Sequence, residues 1–195
     1  MTLPYAVKLG LRFDAAALAD DVERLRVEDW VPHFNTSYYV GDWSGTSLRS
    51  VGGRADRLYP DPAAQDPYGD TEVLDRCPAI RDLLDSLSCE LTAVRLLRLG
   101  PGARVREHRD YRLGFDDGEV RLHVPVVTGP DAEFVLAGEP LVMAPGECWY
   151  VNVNQMHSVA NVGSTQRVHL VADCVVNAWL THELFDSAER VAALS

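Results

Sequence analysis

Residues 91–127 read LTAVRLLRLGPGARVREHRDYRLGFDDGEVRLHVPVV. Three runs rich in branched apolar residues, 91–99, 103–110 and 119–127, are separated by the turn pairs Pro101-Gly102 and Asp117-Gly118. Such pairs interrupt regular structure because glycine accepts positive φ and proline lacks an N–H donor. Runs this short, bounded this way, predict β-strands. The pattern continues through 132–136, 140–143, 148–153 and 166–175, punctuated by Gly129-Pro130, Gly138 and Pro145-Gly146. A series of short strands with regular turns predicts a mainly β fold, a sandwich or barrel. A double-sheet jelly roll of the cupin type fits best.

Upstream the chain is mixed. Val7, Leu9 and Leu11 alternate with Lys8, Gly10 and Arg12, which is strand-like. Asp14 is placed to cap a helix carrying Leu18, Val22 and Leu25 on one face. Residues 35–51 read as two extended pieces around Gly41-Asp42, and 60–70 as a loop rich in Pro, Asp and Gly. Pro78 suits the first turn of a second helix burying Ile80, Leu83, Leu84 and Leu87. A last helix is expected at 181–193, with Leu184 and Ala188 on its inner face. The expected organisation is one domain over 1–195. Residues 1–90 form flanking helices and pocket-mouth elements, 91–177 the jelly-roll core and 178–195 a C-terminal helix.

Composition bounds the function. Of 195 residues, 47% are apolar and 24% charged, which is ordinary for a globular chain. A net charge of -11 with no basic stripe argues against a nucleic-acid partner. No stretch approaches a membrane span, and Lys8 and Arg12 interrupt any apolar leader. Cys77, Cys89, Cys148 and Cys174 form no CxxC pair, so reduced and mostly buried thiols in a cytoplasmic protein are expected.

The chemistry begins at His108-Arg109-Asp110. Residues two apart on a strand share a face, so His108 and Asp110 can both point into a barrel. Alone, an HxD is common by chance. His157, after the turn at Pro145-Gly146 and the strand 148–153, is the natural third ligand. Two imidazoles and one carboxylate leave three open positions on an octahedral ion, the ligand set of non-haem Fe(II) oxygenases.

Arg167 opens the largely apolar strand Arg167-Val168-His169-Leu170-Val171. Facing inward, it would need an anion, and its planar fork suits one carboxylate of a dicarboxylate cosubstrate. A structural salt bridge with Asp173 is the alternative. Arg121 and His123 share a face of the preceding strand, where either can hold a carboxylate of cosubstrate or substrate. A satisfied core histidine is the alternative for His123. Trp43 and Arg49, with Tyr38 and Tyr39, are candidates for the pocket mouth, and Arg49 for pairing with a substrate carboxylate.

Taken in order, these motifs resemble the aspartyl/asparaginyl beta-hydroxylase family, in particular its short bacterial members. The resemblance rests on Gly100-Pro101-Gly102 before His108-Arg109-Asp110, on Arg121-Leu122-His123-Val124-Pro125-Val126-Val127-Thr128, on Gly138 and Pro145-Gly146-Glu147, on His157 with Asn161, and on Arg167-Val168-His169-Leu170-Val171-Ala172-Asp173. It is looser through Trp43 and Ser47-Leu48-Arg49. It implies a double-stranded β-helix and a dioxygenase using Fe(II), 2-oxoglutarate and O2. His108, Asp110 and His157 would bind the metal and Arg167 the distal carboxylate of 2-oxoglutarate. His123 would lie against the cosubstrate, and Arg121 would face cosubstrate or substrate. The expected reaction hydroxylates a C–H bond of a small amino acid, or of a residue in a short peptide, releasing succinate and CO2. Two other readings compete: a different metal-dependent cupin enzyme, and a non-catalytic jelly-roll module that binds a ligand.

Overall fold

The computed structural model describes residues 2–58 and 65–192. Chain order is β1 (Ala6–Arg12), α1 (Ala15–Glu23), β2 (Val31–Pro32), β3 (Tyr39–Val40), β4 (Trp43–Val51), β5 (Tyr68–Asp70), α2 (Pro78–Asp85), β6 (Leu91–Leu99), β7 (Arg104–His108), β8 (Glu119–Val127), β9 (Ala132–Leu136), β10 (Glu139–Pro140), β11 (Glu147–Val151), β12 (His157–Asn161), β13 (Arg167–Val175) and α3 (Ala178–Ala192). No helix among the described residues is long and apolar enough to cross a membrane.

The strands pair antiparallel into two sheets. The larger runs β1-β11-β8-β13-β6-β4-β2, with β5 beside β4; the smaller runs β10-β9-β12-β7-β3. This is the expected jelly roll. Alternation assigns the two faces of the large sheet. Val94, Leu96, Val120, Leu122, Val168 and Leu170 pack with Leu18, Val22, Ile80, Leu83, Leu180 and Leu184 of the three helices. Each fully buried aliphatic side chain in this layer contributes about 1.5–3 kcal/mol. The intervening residues, Arg95, Leu97, Leu99, Arg121, His123, Arg167, His169 and Val171, line a cavity between the sheets. One strand therefore stabilises the fold with one face and builds the cavity with the other.

The first two helices start where expected. The Asp14 side chain accepts from the backbone N–H groups of Ala16 and Ala17 at 3.0 and 3.2 Å, capping α1. Pro78 opens α2. Gly146 sits at φ 76° in the turn before β11, and a Cβ there would lie 2.2 Å from the Phe13 carbonyl oxygen. Only glycine fits that approach. The four cysteines are free thiols, and Cys77, Cys148 and Cys174 are buried.

Several boundaries differ from the sequence expectation. The strand expected at 103–110 ends at His108, because its partner β12 begins opposite at His157 and pairing has nowhere to continue. The backbone N–H of Asp110 turns instead to the Val153 carbonyl at 2.9 Å. The run 140–143 contributes only its first residue, to β10. The loop expected at 60–70 ends in β5, which pairs with the edge of β4; residues 60–64 lie outside the described residues. β12 was not expected, since His157-Ser158-Val159-Ala160-Asn161 carries no apolar alternation, yet it pairs on both sides, with β7 and β9. α3 begins three residues before the expected 181, and its expected end at 193 lies outside the described residues.

Candidate active site

The cavity between the sheets has a volume of about 400 Å³. His108 and His157 are directly paired across β7 and β12. Their ring centroids are 4.3 Å apart. Asp110 follows on the bend beyond β7, with Oδ1 3.9 Å from His108 Nε2. One ligand atom from each of the three lies within 4.8 Å of the others.

Both histidines are oriented for a cation. Nδ1 of His108 is 2.8 Å from the Arg106 carbonyl oxygen, and Nδ1 of His157 is 3.0 Å from that of Gln155. A carbonyl only accepts, so each Nδ1 carries the proton and each Nε2 presents a lone pair. A backbone carbonyl on the far nitrogen is the usual support of a metal-ligating imidazole. Burial holds the His157 pKa below the ordinary histidine range. Burial opposes ionisation of Asp110, but the Arg121 cation beside it outweighs that cost, so its carboxyl stays below the usual range. Two imidazoles, each with Nδ1 on a backbone carbonyl, and a carboxylate form a donor set that fits a divalent metal.

Arg167 and His123 lie deeper. Arg167 is buried, and among the described residues no carboxylate meets it; Nη2 contacts Nδ1 of His169 at 3.0 Å. Desolvation alone pulls its pKa down to about 9. Asp173, its suggested salt-bridge partner, sits six residues along β13, roughly 20 Å away at about 3.3 Å per residue, and pairs with Arg95 and Arg121. Both ring nitrogens of His123 are buried without a hydrogen-bond partner among the described residues. Burial, then the Arg121 and Arg167 cations, push its pKa well down, leaving a neutral ring. A buried cation with no acid and an orphaned imidazole in one cavity are what an anionic ligand would satisfy.

Arg121, expected to face a carboxylate of cosubstrate or substrate, lines the cavity with its guanidinium bonded to acids of the chain. Nε and Nη2 donate to Asp173 at 2.7 and 3.0 Å, and Nη1 donates to Oδ2 of Asp110. All three nitrogens are engaged by acids of the chain.

At the mouth, Trp43 lines the cavity as expected and stacks on His33, with centroids 3.7 Å apart. Tyr39 meets both rings edge-on. Phe34, Tyr38 and Tyr111 stand around the opening with 73, 45 and 74% of their surfaces exposed. Arg49 corrects its expectation: it is not in the cavity. A bulge between Ser47 and Arg49 pairs Arg49 with Val94, which faces the helices, instead of continuing the face of Ser47 opposite Arg95. Its guanidinium bonds Asp70 at 2.7 Å and the carbonyls of Leu91 and Tyr68.

A sequence profile described as Aspartyl/Asparaginyl beta-hydroxylase matches residues 12–176. The chain belongs to that family. Within it, L-proline cis-4-hydroxylase of Rhizobium meliloti (strain 1021) is 25% identical over 175 residues, covering 87% of this chain and 60% of the relative. The mouse aspartate beta-hydroxylase domain-containing protein 1 is 32% identical over 122 residues, 60% of this chain and 32% of that protein. The chain thus spans 60% of the one relative's length and about a third of the other's. Among solved structures, an oxidoreductase of the 2OG-Fe(II) oxygenase family from Burkholderia pseudomallei superposes with a TM-score of 0.56 at 15% identity, covering 82% of this chain and 77% of that one. A Pseudomonas putida prolyl-4-hydroxylase superposes at 0.54 and 16%, covering 89% and 93%. These likenesses establish the fold.

Among the contributors that went unread in the sequence are Arg95, His169 and Phe134 in the cavity, and Asp173 behind it as partner of Arg121. Arg167, His169, Val171 and Asp173 alternate along one strand, so their shared face was legible once Arg167 was placed inward. Arg95 and Phe134 carry no local signal, because their relevance depends on which strands face each other.

Proposed function

We propose that this chain is an Fe(II)- and 2-oxoglutarate-dependent dioxygenase that hydroxylates a C–H bond of a small amino acid, or of an amino-acid residue in a short peptide. The observation that carries the reading is Arg167, a buried cation with no acid among the described residues, in the same cavity as the orphaned His123 and the His108–Asp110–His157 cluster. His108, Asp110 and His157 would hold the metal. The fork of Arg167 would take the distal carboxylate of 2-oxoglutarate, and His123 would donate or accept at its side. With iron and cosubstrate bound, the chemistry supplied is activation of O2, in which the oxo acid becomes succinate and CO2 and the substrate gains a hydroxyl.

The remaining residues bind and shield. Phe134 stacks parallel to His157 at 6.0 Å, and with Val153 and Val159 excludes water from the metal side. The aromatic mouth suits a ligand that reaches beyond the cavity, and Arg109 adds a cation there, while Arg98 is paired with Asp42 at 3.7 Å. An anionic amino-acid derivative matches these features. The proline hydroxylase name of one relative points to a small amino acid.

Purified metal-free protein loaded anaerobically with Fe(II) and exposed to oxygen is the test. Succinate is followed against a panel of amino acids and short acidic peptides, with His108→Ala and Arg167→Ala beside wild type. The expected result is iron-dependent succinate, stimulated by a panel member and lost in both variants. No succinate, with no affinity for 2-oxoglutarate, would overturn the proposal.

A further inference from the structure

The two oxygens of Asp110 have different neighbours. Oδ1 lies toward the histidines, 3.9 Å from His108 Nε2. Oδ2 accepts from Nη1 of Arg121. Arg121 is held at two other points, because Nε and Nη2 donate to opposite oxygens of Asp173 at 2.7 and 3.0 Å. Asp173 also accepts from Nη2 of Arg95 at 3.0 Å, and both are almost fully buried, with 1 and 3% of their surfaces exposed. A planar guanidinium gripped by a bidentate acid does not swing, so Nη1 is aimed at one fixed place.

We infer that Arg121 is a positioning residue that restricts Asp110 to ligation through a single oxygen, with Asp173 and Arg95 as its anchor. The inference deepens the metal assignment proposed above and rests on it. Carboxylates grip hard cations with one oxygen or with both. A facial triad on a six-coordinate ion leaves three positions, two for a chelating oxo acid and one for oxygen. If Asp110 closed on the metal with both oxygens, it would take one of them. A hydrogen bond on Oδ2 prevents that closure.

Stability alone does not account for the arrangement. Burying two arginines and an aspartate carries a desolvation cost that a well-packed apolar cluster avoids. Buried ionic groups do offer fixed geometry, and here the fixed point is a candidate metal ligand. The effect on metal affinity has two opposed parts: the Arg121 cation repels a dication, while the orientation it imposes favours binding. Ligation mode separates them.

The experiment compares wild type with Arg121→Gln, Arg121→Lys and Asp173→Asn, each prepared metal-free and then loaded with Co(II). Measured are the melting temperature, Co(II) affinity, 2-oxoglutarate affinity by calorimetry, and the infrared carboxylate stretches of aspartate-labelled protein before cosubstrate is added. In wild type, Co(II) binding should give the wide splitting of a one-oxygen carboxylate. In Arg121→Gln that splitting should narrow, and 2-oxoglutarate should bind at least about tenfold more weakly, the low end of an outer-shell loss, while Co(II) affinity falls by less than that or rises. Arg121→Lys should recover part of both, and Asp173→Asn should fall between. An unchanged splitting in folded Arg121→Gln or Arg121→Lys overturns the inference, whatever happens to cosubstrate affinity. Parallel loss of Co(II), 2-oxoglutarate and melting temperature in every variant, Arg121→Lys included, assigns the network a structural role and also overturns it. Wild type that binds neither Co(II) nor 2-oxoglutarate overturns the metal reading and this inference together.

Discussion

His157 lies directly opposite His108 in the antiparallel pairing of β12 with β7, so one register brings two imidazoles 49 positions apart in sequence within 4.3 Å. Slipping that register by one residue would turn His157 out of the cavity. The pairing is maintained on both flanks, since His157 also sits opposite Leu136 of β9, and Asn161 at the other end of β12 donates to the carbonyls of Leu99 and Gly100 at 3.0 and 3.1 Å.

Replacing a ligand should therefore remove metal binding while leaving the sheets intact. His157→Ala and Asp110→Ala are expected to weaken Fe(II) binding by more than about 100-fold, beyond the usual effect of an outer-shell change. Calorimetric titration of the metal-free protein checks this. Unchanged affinity in Asp110→Ala would remove that residue from the cluster.

Arg167 should show opposite effects on stability and binding. Methionine there fills similar volume without a buried charge. Ligand-free Arg167→Met should melt higher than wild type by a few degrees, since about 1 kcal/mol corresponds to about 2–4 °C for a chain of this size. Its 2-oxoglutarate affinity should fall at least about thirtyfold, the low end of losing a buried charge-assisted contact. Thermal unfolding with and without 2-oxoglutarate reads both, and a lower melting temperature for the ligand-free variant would contradict the account.

Asp29 and Arg76 supply a pH-dependent element remote from the cavity. Arg76 donates through both terminal nitrogens, at 2.6 and 2.8 Å, and these bonds hold the Asp29 carboxyl below the usual range. A depressed native pKa stabilises the fold above the unfolded carboxylate value of about 4, and the contribution disappears as pH falls through the native value. Asp29→Asn should cost about 1 kcal/mol near neutrality and progressively less below about pH 4. Urea unfolding at several pH values tests this; a difference that grows on acidification would be the wrong sign.

The thiols should react unequally. Burial pushes Cys77 and Cys148 up to about 12. A hydrogen bond with Cys174 lowers the Cys89 pKa, and Cys89 is the one thiol that is not buried. Since thiolate is the reactive form, a thiol reagent at mildly alkaline pH should modify Cys89 first in the native protein and all four cysteines in denaturant. Mass spectrometry after partial labelling identifies the site.

Much of the fold was legible because strand and turn signals are local. The ranges 91–99, 119–127 and 132–136 coincide with β6, β8 and β9, and Asp14 and Pro78 mark the starts of α1 and α2. β12 escaped because its residues lack apolar alternation; tertiary pairing on both sides makes it a strand despite its composition. Arg49 was misplaced because alternation alone carries it onto the face of Ser47, while the bulge that reverses it depends on the partner strand.

By itself the sequence determined the residue types able to hold a metal and the strand alternation that puts Arg121 with His123, and Arg167 with His169, on one face each. Those follow from a two-residue period that needs no knowledge of neighbours. Tertiary structure decided that His157 faces His108, that Asp173 pairs with Arg121 and not Arg167, and that both nitrogens of His123 lack a partner among the described residues. Strand order, register and burial are properties of the packed whole, and a buried charge or imidazole takes its meaning from whichever groups that packing places within hydrogen-bonding reach.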